Sequence, residues 1–126
     1  LGQRSADNRF VTLFNFLLEG VGNSAIENVN GRNLGNETTF TGNVFQQNQL
    51  SQVITTVRNN SVTMSVDGRT IVSRQGALND LSLSDYWKTP NAKALFVGAY
   101  DCRYRIHRMT VEPLSGEGRI LVSEEK

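Results

Sequence analysis

Cysteine and histidine each occur once in this chain of 126 residues, as Cys102 and His107, and proline occurs twice. A single cysteine excludes an internal disulfide and leaves the redox compartment open. One His and one Cys cannot supply the ligand spacing of a zinc site. No apolar run reaches the roughly 20 residues of a membrane-spanning helix. The opening LGQRSADNRF lacks the pattern of a signal peptide. Charge of either sign is not in excess: the formal net charge is +1. Nothing electrostatic therefore points to nucleic acid or to an acidic membrane, and without a long apolar run no membrane insertion is expected. Lys and Arg are scattered apart from a modest cluster at Arg103, Arg105 and Arg108.

What is present fits one soluble globular domain over residues 1–126, with 38% hydrophobic and 20% charged residues. The termini, 1–8 and 117–126, are expected to fray. Asparagine and glycine dominate residues 20 to 48, which argues against long helices there. The strongest local pattern is LSQVITTVRNNSVTMSVDGRTIVS, residues 50 to 73. Val53, Thr55 and Val57 alternate with Ile54, Thr56 and Arg58. Val62, Met64 and Val66 alternate with Ser61, Thr63 and Ser65. Asn59-Asn60 and Asp67-Gly68 separate the runs, and both turns are expected to use positive φ. The pattern predicts a three-stranded meander with Val62, Met64 and Val66 facing a core.

Upstream, RFVTLFNFLL (9 to 18) predicts a strand buried on both faces, with Phe10, Thr12, Phe14 and Phe16 on one of them. SAIENV (24 to 29) and ETTFT (37 to 41) predict two short strands. Downstream, residues 74 to 93 read as a structured connection, with a single helical turn starting at Ser84 and its hydroxyl as the cap. ALFVGAY (94 to 100) predicts an apolar strand, and RYRIHRMTVE (103 to 112) a last long one with a bulge near His107-Arg108. The whole is an all-β, antiparallel β-sandwich.

The order of these features resembles a known family. An Asp-Gly hairpin, a Trp-bearing loop, ALFVGAY and YRIHRMTVEPLSGEG follow one another across residues 50 to 118. The chain resembles the concanavalin A-like (laminin G-like) jelly-roll superfamily. It looks most like the β-sandwich modules appended to large planctomycete-type bacterial proteins, including some protein kinases. The resemblance implies a jelly roll, here lacking an outer strand or receiving it from the rest of a longer protein. It also implies glycan binding, protein binding or glycoside hydrolysis, and fold does not choose among these.

Individual residues narrow the choice. Gly20-Val21-Gly22-Asn23-Ser24-Ala25 matches a dinucleotide-loop pattern, but no helix-forming stretch follows, so a loop between antiparallel strands is the better reading. Hydrolysis needs two carboxylates about 5 to 10 Å apart. The nearest candidates, Asp80 and Asp85, fall in a loop, and no Glu-x-Asp run of the family's hydrolases is present. His107 reads as a structural or surface imidazole, and Cys102 as a small buried filler. Asn79, Asp80, Asp85 and Asp101 could offer oxygens to calcium, without an ordered loop to hold it. Asn36-Glu37-Thr38 and Asn59-Asn60-Ser61 match a glycosylation acceptor.

Tyr86, Trp87, Tyr100, Asp101 and Arg103 remain as a ligand-binding set. Aromatic faces stack on sugar rings, and the polar groups hydrogen-bond their hydroxyls. The competing reading makes Trp87 a plug for one end of the fold, flanked by Leu81, Leu83 and Pro90, with its indole N–H on a backbone carbonyl. The expectation is a non-catalytic module for a glycan or protein ligand, without cofactor or metal, in a larger bacterial protein and favoured outside the cytoplasm. A hydrolase or its inactive remnant is the alternative, and a structural spacer the third.

Overall fold

The computed structural model describes residues 2–5, 8–87, 89–91 and 94–116. Among these the fold is all-β and antiparallel, with no α-helix. The strands are β1 (Gly2–Ser5), β2 (Asn8–Leu18), β3 (Val21–Ile26), β4 (Asn28–Val29), β5 (Phe40–Thr41), β6 (Val53–Arg58), β7 (Ser61–Val66), β8 (Arg69–Gln75) and β9 (Leu81–Ser82). They form three sheets, ordered β1-β2-β3-β5, β4-β9 and β6-β7-β8.

The meander forms in the register its alternation predicts. Val53 pairs with Val66, and Val57 with Val62. Val62 and Met64 are fully buried and Val66 nearly so, while Ser61, Thr63 and Ser65 are half-exposed. The two-residue turn at Asp67-Gly68 has φ of 51° and 81°, values that glycine adopts without strain. Asp67 also ties the hairpin to its neighbour, since Gln52 N–H donates to Asp67 Oδ1 at 2.8 Å. Asn59 and Asn60 depart from expectation, because neither takes a positive φ.

One apolar core joins the meander to the four-stranded sheet. Phe10, Ile26 and Val29 meet Val62, Met64 and Val72, and Leu78 and Leu81 from the connection close the cluster. That connection is structured, as expected of a long loop carrying large apolar residues. It has two 3-10 turns, Leu78–Asp80 and Asp85–Trp87, with β9 between them paired to β4. Trp87 N–H donates to the Ser84 carbonyl at 3.1 Å, so the turn begins where the sequence places it. The Ser84 hydroxyl contacts the Asn28 side-chain amide at 2.9 Å.

Residues 2–5 pair antiparallel with β2; residues 117–126 lie outside the described residues. Four expectations need correction. The β2 strand is buried on both faces only over its first half, and Leu17 and Leu18 are more than half exposed. Phe16 also leaves the face of Phe10 and Phe14. Leu13 pairs with Ala25 and Phe16 with Asn23, so β2 holds one extra residue. Such a bulge reverses the alternation beyond it, and Asn15 takes the turn with φ of 58°.

The last two corrections concern 94–100 and 103–112, where no strand forms among the described residues. Phe96 makes an isolated bridge, and residues 97–113 enter no ladder. Leu95, Val97, Tyr104, Ile106, Met109 and Val111 are instead 42–71% exposed. Alternation states which face of a strand is apolar; a strand also needs an edge to pair with. The expected bulge at His107-Arg108 therefore has no ladder to interrupt.

Candidate functional site

The β2–β3 hairpin and the 78–87 connection flank a half-open aromatic cavity. It has a volume of about 390 Å³ and is lined by Phe16, Glu27, Asn33, Tyr86, Trp87 and Tyr100, at the lower end of the usual range for ligand pockets of about 300–1,000 Å³. Each wall has a local cause. The Asn15 bulge turns Phe16 away from the core and into this space. The 3-10 turn Asp85–Trp87 presents two consecutive aromatics, Tyr86 and Trp87. Tyr100 stacks on Phe16, with ring centroids 5.7 Å apart and planes 19° from parallel. Nearby, Arg9 links the connection back to β2: its guanidinium donates to Thr89 Oγ1 at 3.2 Å and lies 5.9 Å from the Phe96 ring centroid.

Glu27 is the polar element of the cavity. It occupies the bend between β3 and β4 and is only 5% exposed. Its backbone is held at both ends: the N–H donates to the Val11 carbonyl at 3.0 Å, and the carbonyl accepts from Asn36 Nδ2 at 3.1 Å. The Trp87 indole N–H donates to Glu27 Oε2. Glu27 Oε1 is buried without any hydrogen-bond partner.

Asn36 fixes this corner. It is 7% exposed, and its Nδ2 also reaches the Ile26 carbonyl at 2.8 Å. Its Oδ1 accepts from the Thr38 hydroxyl at 2.6 Å and from the Thr38 N–H at 2.9 Å. Thr38 Oγ1 in turn accepts from the Ile26 N–H at 3.0 Å. The acceptor-like triplet Asn36-Glu37-Thr38 is thus a folded hydrogen-bond hub, with its amide turned inward.

Of the ligand-binding set, Tyr86, Trp87 and Tyr100 line the cavity, whereas Asp101 and Arg103 are exposed and outside its lining. Trp87 is half-buried, and its indole meets a carboxylate rather than a backbone carbonyl. Phe16, Glu27 and Asn33 were not singled out in the sequence. Asn15 was the available signal for Phe16, since an Asn inside an apolar run suits a left-handed bulge.

The remaining candidates lie elsewhere. Asp80 Oδ2 is 3.0 Å from Arg74 Nη2, and Arg74 is itself 7% exposed. Gly20 follows Glu19 in a tight turn, with φ of 53° and 80°, that joins antiparallel β2 and β3. Gly22 has no room for a side chain, since a Cβ there would lie 2.2 Å from Asn15 Oδ1. His107 is exposed. Cys102 is exposed as well, against the expectation of a buried filler, and the strand expected to start beside it does not form. Among the described residues no three His, Cys, Asp or Glu side chains gather as a metal site. No family model, curated protein or solved structure matches this chain.

Proposed function

We propose that this chain is a non-catalytic binding module of the concanavalin A-like type, and that its aromatic cavity takes a glycan. The observation that carries the reading is the lining itself. Four aromatic side chains, Phe16, Tyr86, Trp87 and Tyr100, surround Glu27 and Asn33. A sugar ring offers C–H faces to stack on the rings and hydroxyls to hydrogen-bond with the polar side chains of the lining, Asn33 and Glu27. Hydrolysis would call for a second carboxylate across the scissile bond. Among the described residues the lining contains one, and Asp80 is engaged by Arg74. Binding without cleavage is therefore the better-supported member of the pair.

A protein ligand is the second reading. It is favoured by the exposed Tyr104, Ile106, Met109 and Val111 along one extended segment, since contiguous apolar surface marks interaction sites.

The test is calorimetric titration of the chain against a panel of polysaccharides, wild type beside Tyr86→Ala and Tyr100→Ala. Both tyrosines are more than half exposed, at 89% and 67%, so both variants are expected to melt as the wild type does. Loss of binding in both supports the cavity as the glycan site. An absence of binding to every polysaccharide, or binding untouched by either variant, removes the reading. Affinity is expected to be weak, near a Kd of about 1 mM or somewhat below, which corresponds to about 4 kcal/mol.

A further inference from the structure

The electrostatics of the cavity select more narrowly than its shape. Aromatic faces carry negative potential, and four aromatic side chains contribute to the lining. Glu27 adds a carboxylate that is 5% exposed, takes one hydrogen bond from Trp87, and keeps Oε1 buried and unpartnered. No ion pair reaches it among the described residues. Burying a carboxylate without a counter-charge is costly, and an unmade hydrogen bond adds to that cost. Among the described residues, the others that line the cavity, Phe16, Asn33, Tyr86, Trp87 and Tyr100, carry no positive charge. A cation is the missing complement, and aromatic rings beside a carboxylate are the setting in which a desolvated ammonium gains most.

We infer that the cavity recognises an amino sugar, with its protonated amine drawn to the Glu27 carboxylate and its ring against the Phe16–Tyr100 pair. The inference rests on the glycan reading above and deepens it. The shape favours a sugar amine over a lone ammonium head. The volume of about 390 Å³ exceeds what a single ammonium group fills, and Asn33 supplies an amide suited to a neighbouring hydroxyl. Oε1 lies beneath the present surface, so a direct hydrogen bond to the amine requires the Glu27 side chain to turn toward the cavity that its residue lines.

The experiment compares three oligosaccharides of equal length on the full chain by titration calorimetry: a glucosamine hexamer, an N-acetylglucosamine hexamer and cellohexaose. The glucosamine hexamer should bind about tenfold or more tightly than either neutral one, the range of one charge-assisted contact. Glu27→Gln keeps an acceptor for the Trp87 indole and removes the charge, so it should bring the ratio to within about twofold. Tyr86→Ala, at the rim, should weaken the glucosamine hexamer with an unchanged melting temperature, which keeps the test decisive even if Glu27→Gln fails to fold. Equal binding of all three hexamers overturns the amine preference and leaves the glycan reading standing. A glucosamine preference that survives Glu27→Gln overturns it too, because attraction would then come from elsewhere on the surface. Binding of a trimethyl-lysine peptide with no binding of any hexamer removes both readings.

Discussion

The Trp87 indole N–H donates to Glu27 Oε2, joining the 78–87 connection to the bend that separates β3 from β4. This single bond links residues 60 positions apart in sequence, and both of them line the aromatic cavity. Trp87→Phe keeps a large ring and deletes the donor. A buried carboxylate would then lose the one hydrogen bond it makes among the described residues, at a cost of about 1–3 kcal/mol. Urea denaturation of the variant beside wild type measures it. A change below about 0.5 kcal/mol would mean that water replaces the indole freely, and that the carboxylate is not closed off.

The meander offers a sharper test of packing. Met64 is fully buried in the shared core, so Met64→Ala should cost about 2–5 kcal/mol. Gly68→Val tests the turn instead. Nothing lies within 4 Å of a Cβ placed at Gly68, yet its φ is 81°, so the penalty is backbone strain alone, about 1 kcal/mol or more. Denaturant midpoints should separate the two, with Met64→Ala the more damaging.

Those elements were legible because their information is local. Period-two alternation and an Asp-Gly pair settle the register of the meander without knowledge of the rest of the chain. The cavity was half legible: Tyr86, Trp87 and Tyr100 stand out as aromatics in loop-like sequence. Phe16 was hidden by one extra residue at Asn15, which reverses the side-chain alternation after it. Glu27 was hidden because, within SAIENV, a charged residue between Ile26 and Asn28 reads as the solvent face of a strand. In the fold it marks the break between two strands. The segment 103–112 failed for a different reason. Its alternation is genuine, but pairing is a property of two edges, and only one of them is written in the segment.

Tyr104 gives a dependence on alkaline pH. Its phenol is held above its ordinary value of 10.0, first by burial of the ring and then by Cys102, whose charge and hydrogen bond both disfavour the phenolate. A raised folded-state value means the folded chain holds its proton longer than the unfolded chain. The associated stabilisation is complete below the ordinary phenol value and is lost as pH rises through the raised one. The ring is 50% exposed, so solvent keeps the effect on stability small and the titration itself is the better readout. NMR titration of the tyrosine Cζ signals should place Tyr104 above free tyrosine. Cys102→Ser should bring it down; an unchanged midpoint would assign the whole effect to burial.

Asn36 makes the last prediction, because one amide serves both stability and the site. Its Nδ2 lies within 2.8–3.2 Å of the carbonyls of Ile26, Glu27, Arg32 and Asn33. Its Oδ1 holds Thr38, which in turn holds the Ile26 N–H. Asn36→Ala would strand several of these groups in a place water does not reach easily. Each unsatisfied group costs about 1–3 kcal/mol, partly relieved by relaxation, so a loss of about 2–4 kcal/mol is expected for the variant. Asn36→Asp should be no milder. It keeps the acceptor for Thr38, loses both donors, and turns a carboxylate toward carbonyl oxygens. Because Glu27 shares this corner, the two variants should also loosen the cavity. Amide hydrogen exchange should quicken at Ile26 and Glu27 more than in β7. Uniform acceleration across β7 as well would mean that Asn36 supports the whole fold, and that the Glu27 bend has no separate anchor.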